Sequence, residues 1–180
     1  MCTANINRSP MAAALLAGHL QRAGVDVDVA SAGLLEGGQP ASPHAISVVA
    51  DRGLDLTRHR SRRLTADLVT GAELVIGMER HHLRTAAVLV SGAFHKTFTL
   101  KELVRRALET GPRAAEEPLE AYLVRLNADR DPATLVDDDP RDDVDDPVGK
   151  DRSHFEATAS ELELLISGLG YFLFGVSPDS

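Results

Sequence analysis

The sequence predicts an α/β fold, a doubly wound parallel sheet with helices on both faces. Three observations carry this. Segments with strand-like patterning alternate along the chain with segments of helical periodicity. Residues 74–78 form a short apolar run that reads as a buried strand. Residues 2–8 form a loop spaced to enclose an anion, and an alanine-rich helix follows it at once. In sheets of this kind the ligand lies at the carboxyl ends of the strands.

The elements follow in order. Residues 9 to about 23 read as a helix, with Ser9 as N-cap, Pro10 as first helical residue and Gly24 as the stop. Val25, Val27 and Val29 alternate with Asp26 and Asp28, the pattern of a half-exposed strand. Residues 31–42 are a glycine-rich loop. A helix is expected over 43–52, stopped by Gly53, and a short one over 64–70. After the buried strand come a helix over 80–89, a strand over 94–99 and a helix over 100–110. Residues 115–127 carry a helical pattern and 128–150 a loop. The last helix, 152–172, presents Phe155, Leu162, Leu165, Ile166 and Leu169 on one face.

The chain has 180 residues, 43% of them hydrophobic, which suits one domain with a sizeable core. No apolar stretch reaches the roughly 20 residues of a membrane span, and no signal peptide precedes Cys2. A net charge of −8 argues against general nucleic-acid binding. Ten acidic side chains crowd between Asp129 and Asp151, where a solvated loop is the simplest reading. The single cysteine excludes an internal disulfide, and a reducing cytoplasmic setting suits a working thiol.

That cysteine is the centre of the chemistry. Cys2-Thr3-Ala4-Asn5-Ile6-Asn7-Arg8-Ser9-Pro10 reads C-x5-R-S-P. A thiolate at the base, backbone amides of Thr3, Ala4, Asn5, Ile6 and Asn7 turned inward, and the Arg8 guanidinium on the far side would hold a phosphate. A helix N-terminus and a nearby cation both favour the thiolate form. Arg8 offers a planar fork to two oxygens. Ser9 can donate to the sulfur. Asn5 suits a left-handed backbone state.

These residues resemble the signature of the low-molecular-weight protein tyrosine phosphatases. The likeness continues in Ser31-Ala32-Gly33, Gly38-Gln39-Pro40-Ala41, Gly53-Leu54-Asp55-Leu56, His59-x-Ser61-x-x-Leu64 and Asp145-Asp146-Pro147-Val148-Gly149. It covers most of residues 1–100 and 143–170 and is weak between them, so residues 111–142 read as a variable insert within a single domain over 1–180. The run Thr97-Phe98-Thr99-Leu100-Lys101-Glu102-Leu103 resembles the actinobacterial branch, which includes phosphatases and arsenate reductases.

The resemblance implies a phosphatase-I-like fold, a phosphocysteine intermediate, no cofactor and no metal, and a phosphorylated protein or small phosphate ester as substrate. It also implies no nucleic-acid or membrane partner. Oligomeric state is open. The family places its proton donor in an Asp-Pro pair. Three exist here, at Asp131, Asp139 and Asp146; Asp146 is expected, because Pro147-x-Gly149 and the last helix follow it. Its neighbour Asp145 should favour the protonated acid by like-charge repulsion.

The chain also departs from the family's pattern. The family places an apolar strand directly before its cysteine, where this chain has only Met1; either the start lies further upstream or the sheet lacks its central strand. Asn7 stands where many relatives carry a second cysteine. Ala4 replaces a common loop glycine, which requires a negative φ. Leu34, Leu35 and Val148 replace the aromatic walls that flank phosphotyrosine. Ile6 occupies a position where the arginine-phosphate phosphatases of the family carry threonine. The seven histidines show no cluster that compels a metal, although His81-His82 falls near the expected rim. The Arg58, Arg60, Arg62 and Arg63 cluster reads as a solvated or acid-pairing surface. Two other functions stay open: arsenate reduction with an external small thiol, and a non-catalytic module that binds phosphate.

Overall fold

The computed structural model describes residues 1–177. Seven helices and two strands are assigned: α1 (Arg8–Arg22), α2 (Pro43–Ala50), α3 (Ala66–Gly71), β1 (Val75–Gly77), α4 (Arg80–Leu89), β2 (Thr97–Thr99), α5 (Leu100–Thr110), α6 (Leu119–Leu126) and α7 (Arg152–Phe174). The order alternates as the patterning predicts. Polar side chains mark several starts. Ser42 caps α2 by accepting from the Ala45 amide, Thr65 caps α3, Thr99 caps α5, and Asp151 accepts from Ser153 and His154 at the head of α7.

β1 and β2 are parallel, with Val75 opposite Thr97. The array continues through single residues. The Met78 amide donates to the Met1 carbonyl and the Met1 ammonium to the Ile76 carbonyl, a parallel pattern. On its other side the Cys2 amide donates to Ala32, and parallel bridges join Cys2 to Gly33 and Gly33 to Arg63. Cys2 thus occupies the central position, at the carboxyl edge, on a backbone held from both sides.

Helices cover both faces. Met11 and Leu15 of α1, Val48 and Val49 of α2, Leu103 of α5 and the Phe155-Leu162-Ile166-Leu169 stripe of α7 form the larger core. Val69 of α3 and Ala86 of α4 pack with Val75 on the other face. α6 adds Tyr122, Leu123 and Leu126 to the larger core. Among the described residues no helix is long and apolar enough to cross a membrane.

Three sequence expectations are corrected. Residues 25–30 carry no regular secondary structure, and Val27 is exposed. Alternation alone does not make a strand, which needs a ladder partner. The neighbour that could supply one is a single strand step at Met1–Cys2. Residues 93–96 form a 3-10 turn, started by Gly92 at φ 85°, so β2 begins only at Thr97. Helix α1 starts at Arg8, and its cap position is Asn7, so Ser9 lies inside the first turn.

Beside Met1 the fold leaves a cavity of about 630 Å³. Val29, Leu68, Ile76, Leu100, Ile166 and Phe174 are among its walls. It continues the line of the Met1–Cys2 strand step away from the carboxyl edge. Filling it with aliphatic side chains would gain roughly 1.5–3 kcal/mol for each one buried. A chain extended upstream of Met1 by an apolar β-strand is therefore expected to show a higher denaturant midpoint and a higher kcat/KM than the 180-residue form. Equal values for the two forms would show that this cavity is not a strand site.

Candidate active site

Residues 2–8 close into a loop between the sheet edge and α1. Its carbonyls are engaged on the outside. Thr3 O accepts from the Leu34 and Leu35 amides at 2.7 and 3.1 Å, Asn5 O meets His59 Nε2 at 2.8 Å, and Ile6 O accepts from the Ser42 amide at 3.1 Å. A trans peptide points its N–H opposite its C=O. The amides of Ala4, Ile6 and Asn7 therefore face the interior of the loop, where an anion would sit.

Asn5 is the hub. It is fully buried, and its φ of 56° makes it the one non-glycine residue with positive φ among those described, so Ala4 meets its requirement. Asn5 Oδ1 accepts from the Arg62 amide at 3.0 Å, which fixes the orientation of the side-chain amide. Nδ2 then donates to Ser31 Oγ and to Ser9 Oγ, both at 2.9 Å. With Ser9 accepting from Asn5, its own hydrogen is directed to Cys2 Sγ, 3.1 Å away. Ser9 thus serves the sulfur, as expected, although it is not the helix cap.

Gly33 backs the loop. A Cβ there would lie 2.8 Å from Thr3 O and 2.9 Å from Asn5 N, so any side chain would push the loop away. His59 and Ser61, prominent in the sequence only as parts of a pattern, act in the same scaffold. His59 donates to Asn5 O, and Ser61 Oγ accepts from the Gln39 amide.

Arg8 closes the far side. Its side chain is 3% exposed, and its Nη1 bonds Glu79 Oε1 and Val144 O, the latter at 2.9 Å. Nη2 donates to Asp146 Oδ2 at 2.6 Å. Of the three Asp-Pro candidates, Asp146 is the one held on the arginine of the loop. Asp139 pairs with Arg80 and Arg141, and hydrogen bonding to Arg141 holds its carboxyl down at about 2. Asp131 caps the 3-10 turn at 132–135. Asp145 bonds Lys150 at 2.7 Å and also accepts from the Asp146 backbone, and these bonds hold its carboxyl below the usual range.

Sequence reasoning missed Glu79. One of its oxygens meets Arg8 and the other lies 3.0 Å from His81 Nδ1. Thr3 Oγ1 in turn lies 3.4 Å from His81 Nε2 and 3.2 Å from His82 Nε2. The two histidines are therefore joined to the loop, not merely near its rim. Of the basic cluster, Arg63 pairs with Glu36 and Arg62 donates to Ser31 O, in keeping with an acid-pairing surface.

The family profile described as "Low molecular weight phosphotyrosine protein phosphatase" matches residues 1–122. The chain is 35% identical over 140 residues to a probable low molecular weight protein-tyrosine-phosphatase, EpsP, of Ralstonia nicotianae, covering 71% of this chain and 94% of that one. It is 31% identical over 173 residues to a low molecular weight protein-tyrosine-phosphatase of Streptomyces coelicolor, covering 94% and 88%, in keeping with the actinobacterial likeness. Its fold matches the YwlE arginine phosphatase from Geobacillus stearothermophilus with a TM-score of 0.65 and 31% identity, over 93% of this chain and 86% of that one.

The burial of His82 has a measurable consequence. Desolvation, and then the adjacent His81, lower its pKa from 6.5 to about 2. In the unfolded chain His82 takes up a proton near pH 6.5; in the folded protein it does not until far lower. Stability is then complete above about pH 6.5 and falls as pH drops below it, by up to about 1.4 kcal/mol per pH unit from this residue. Denaturant unfolding between pH 5.0 and 6.5, with a chelator present, should show this slope, and His82→Gln should flatten it. An unchanged slope in the variant would rule out His82 as its source.

Proposed function

The chain belongs to the low molecular weight phosphotyrosine protein phosphatase family, and from that premise we propose that it hydrolyses protein phosphotyrosine through a phosphocysteine formed on Cys2. The carrying observation is convergence. The Cys2 sulfur with its Ser9 donor, the inward amides, the Arg8 fork and the Asp146 carboxyl all meet at one loop.

Binding begins with an exchange of partners. A phosphate dianion takes the place of Asp146 on Arg8 Nη2, while Nη1 stays anchored to Glu79 and Val144. The freed Asp146 then stands at the loop mouth beside the leaving oxygen. Cys2 Sγ attacks phosphorus in line. The S–P bond forms, the P–O bond to the leaving group breaks, and protonated Asp146 transfers its proton to the departing oxygen. The inward amides and Arg8 stabilise the charge spread over the three equatorial oxygens. In the second step water attacks the phosphocysteine, Asp146 takes the proton from the water, and the S–P bond breaks. The hydrogen bond from Ser9 stabilises the departing thiolate.

The rim favours an apolar leaving group without stacking it. Leu35 and Val148 are 56% and 61% exposed at the sites where aromatic walls were expected to be missing. A second reading, protein phosphoarginine, is favoured by the likeness to the Geobacillus stearothermophilus arginine phosphatase and opposed by Ile6. Comparing kcat/KM on phosphotyrosine and phosphoarginine peptides of the same sequence separates the two. Arsenate reduction is tested in parallel with small thiols, since Cys2 has no second cysteine to resolve an intermediate.

Cys2→Ser and Arg8→Lys are each expected to abolish turnover of para-nitrophenyl phosphate. The first removes the nucleophile; the second keeps the charge and loses the fork. Substantial hydrolysis by Cys2→Ser would eliminate the mechanism.

Asp146→Asn is expected to lower kcat by about 10²–10⁴-fold on esters with poor leaving groups, and by much less on activated ones. If Asp139→Asn shows that dependence on leaving group and Asp146→Asn does not, the proton donor has been misplaced.

A further inference from the structure

We propose that Glu79, His81 and His82 form a binding site for one transition-metal dication of the zinc class at the mouth of the phosphate loop. In the sequence the histidines show no cluster that compels a metal, and Glu79 does not stand out. The turn between β1 and α4 changes that. One donor atom from each residue lies within 4.8 Å of the others, and the two imidazole rings stack with centroids 3.8 Å apart. Glu79 Oε2 and His81 Nδ1 are already 3.0 Å apart. A tetrahedral ion with bonds of about 2.0–2.1 Å needs its donors roughly 3.3 Å from one another. Glu79 and His81 are both partly exposed and so have room to rotate toward that spacing.

His82 supplies an independent observation. It is fully buried, and its Nδ1 has no hydrogen-bond partner. A pattern of tautomers explains what that nitrogen carries. Glu79 can only accept, so His81 Nδ1 holds a hydrogen and its Nε2 accepts from the Thr3 hydroxyl. The Thr3 oxygen then accepts from His82 Nε2, and His82 Nδ1 lies buried near the Glu79 carbonyl without a hydrogen bond of good geometry. A buried ring nitrogen left without a good hydrogen bond is costly, and binding a cation relieves it. Burial also keeps His82 neutral, so it need not release a proton to become a ligand. Two imidazoles with one carboxylate suit zinc, cobalt or nickel and are poor ligands for magnesium or calcium.

The position gives the ion an effect. Arg8 and an ion at this site both draw on Glu79, and Thr3 belongs to the loop. An ion that claims the carboxylate withdraws a counter-charge from the phosphate-clamping guanidinium. Bound metal should therefore inhibit phosphate-ester hydrolysis.

Because a cysteine thiolate also binds zinc, the binding test uses the full chain carrying Cys2→Ser, and so does not depend on the phosphatase reading. Calorimetric titration with Zn²⁺, and the visible absorption of Co²⁺, should show one ion per chain. His81→Ala and Glu79→Gln in that background should each weaken binding by at least about tenfold. His154→Ala, which alters an exposed histidine paired with Asp151, should leave it unchanged. His82 is buried and its removal endangers folding, so the two partly exposed ligands decide the matter. Absence of a one-to-one site, or affinity in His81→Ala and Glu79→Gln unchanged from the Cys2→Ser parent, overturns the proposal. In the Cys2 enzyme, Zn²⁺ inhibition that persists unchanged in His81→Ala refutes the inhibitory role and assigns the effect to the sulfur.

Discussion

The structure turns on how the Arg8 guanidinium is kept charged inside the protein. A cation with 3% of its side chain exposed must be paired and hydrogen-bonded, because an isolated buried charge is prohibitive. Its partners come from three places: Glu79 after β1, the Val144 carbonyl, and Asp146 ahead of α7. Satisfying one side chain therefore ties the start of α1 to the carboxyl edge of the sheet and to the acidic loop. The same ties put the acid beside the place where a phosphate would lie. Removing Glu79 or Asp146 alone would leave the guanidinium undercompensated.

Much of this was legible in the sequence, for local reasons. C-x5-R-S-P places a nucleophile, a tight loop and a helix start in one segment, and Asn5 has the side chain that tolerates the backbone state found there. Helices α4 and α5 begin and end where their periodicity places them. The failures share one cause, which is that the deciding partner is remote in the chain. Val25, Val27 and Val29 alternate correctly, yet pairing depends on a neighbouring strand of which only Met1 and Cys2 are present. Ser9 looked like a cap, but Asn5 and Cys2 claim its hydroxyl. Nothing in the sequence singles out Glu79, and its contact appears only when Arg8 is folded against it. The choice of Asp146 over Asp139 came from the family pattern, and the pairing with Arg8 supplies a physical reason for it.

Cys2 is held by main-chain bonds as well as by the packing of its buried side chain in the larger core. Ala32 holds its amide, and Met1 is bonded on the other side to Ile76 and Met78. That support lies next to the cavity of about 630 Å³. A displacement of about 1 Å at a reacting atom can cost roughly 10²-fold in rate. The stability of the sheet centre and the rate of chemistry are thus coupled through two residues.

The remoteness of those partners also bears on how the protein is made. Asn5 meets Arg62 57 positions later, and Arg8 meets Glu79, Val144 and Asp146 at separations of 71, 136 and 138. During synthesis the first eight residues emerge long before any of these. Contacts of such long range form late, because the intervening chain must close first. Arg8 is therefore held in place beside the thiol only after residues 79, 144 and 146 have folded against it. A molecule interrupted before residue 144 would carry Cys2 but lack two of the three groups that hold Arg8.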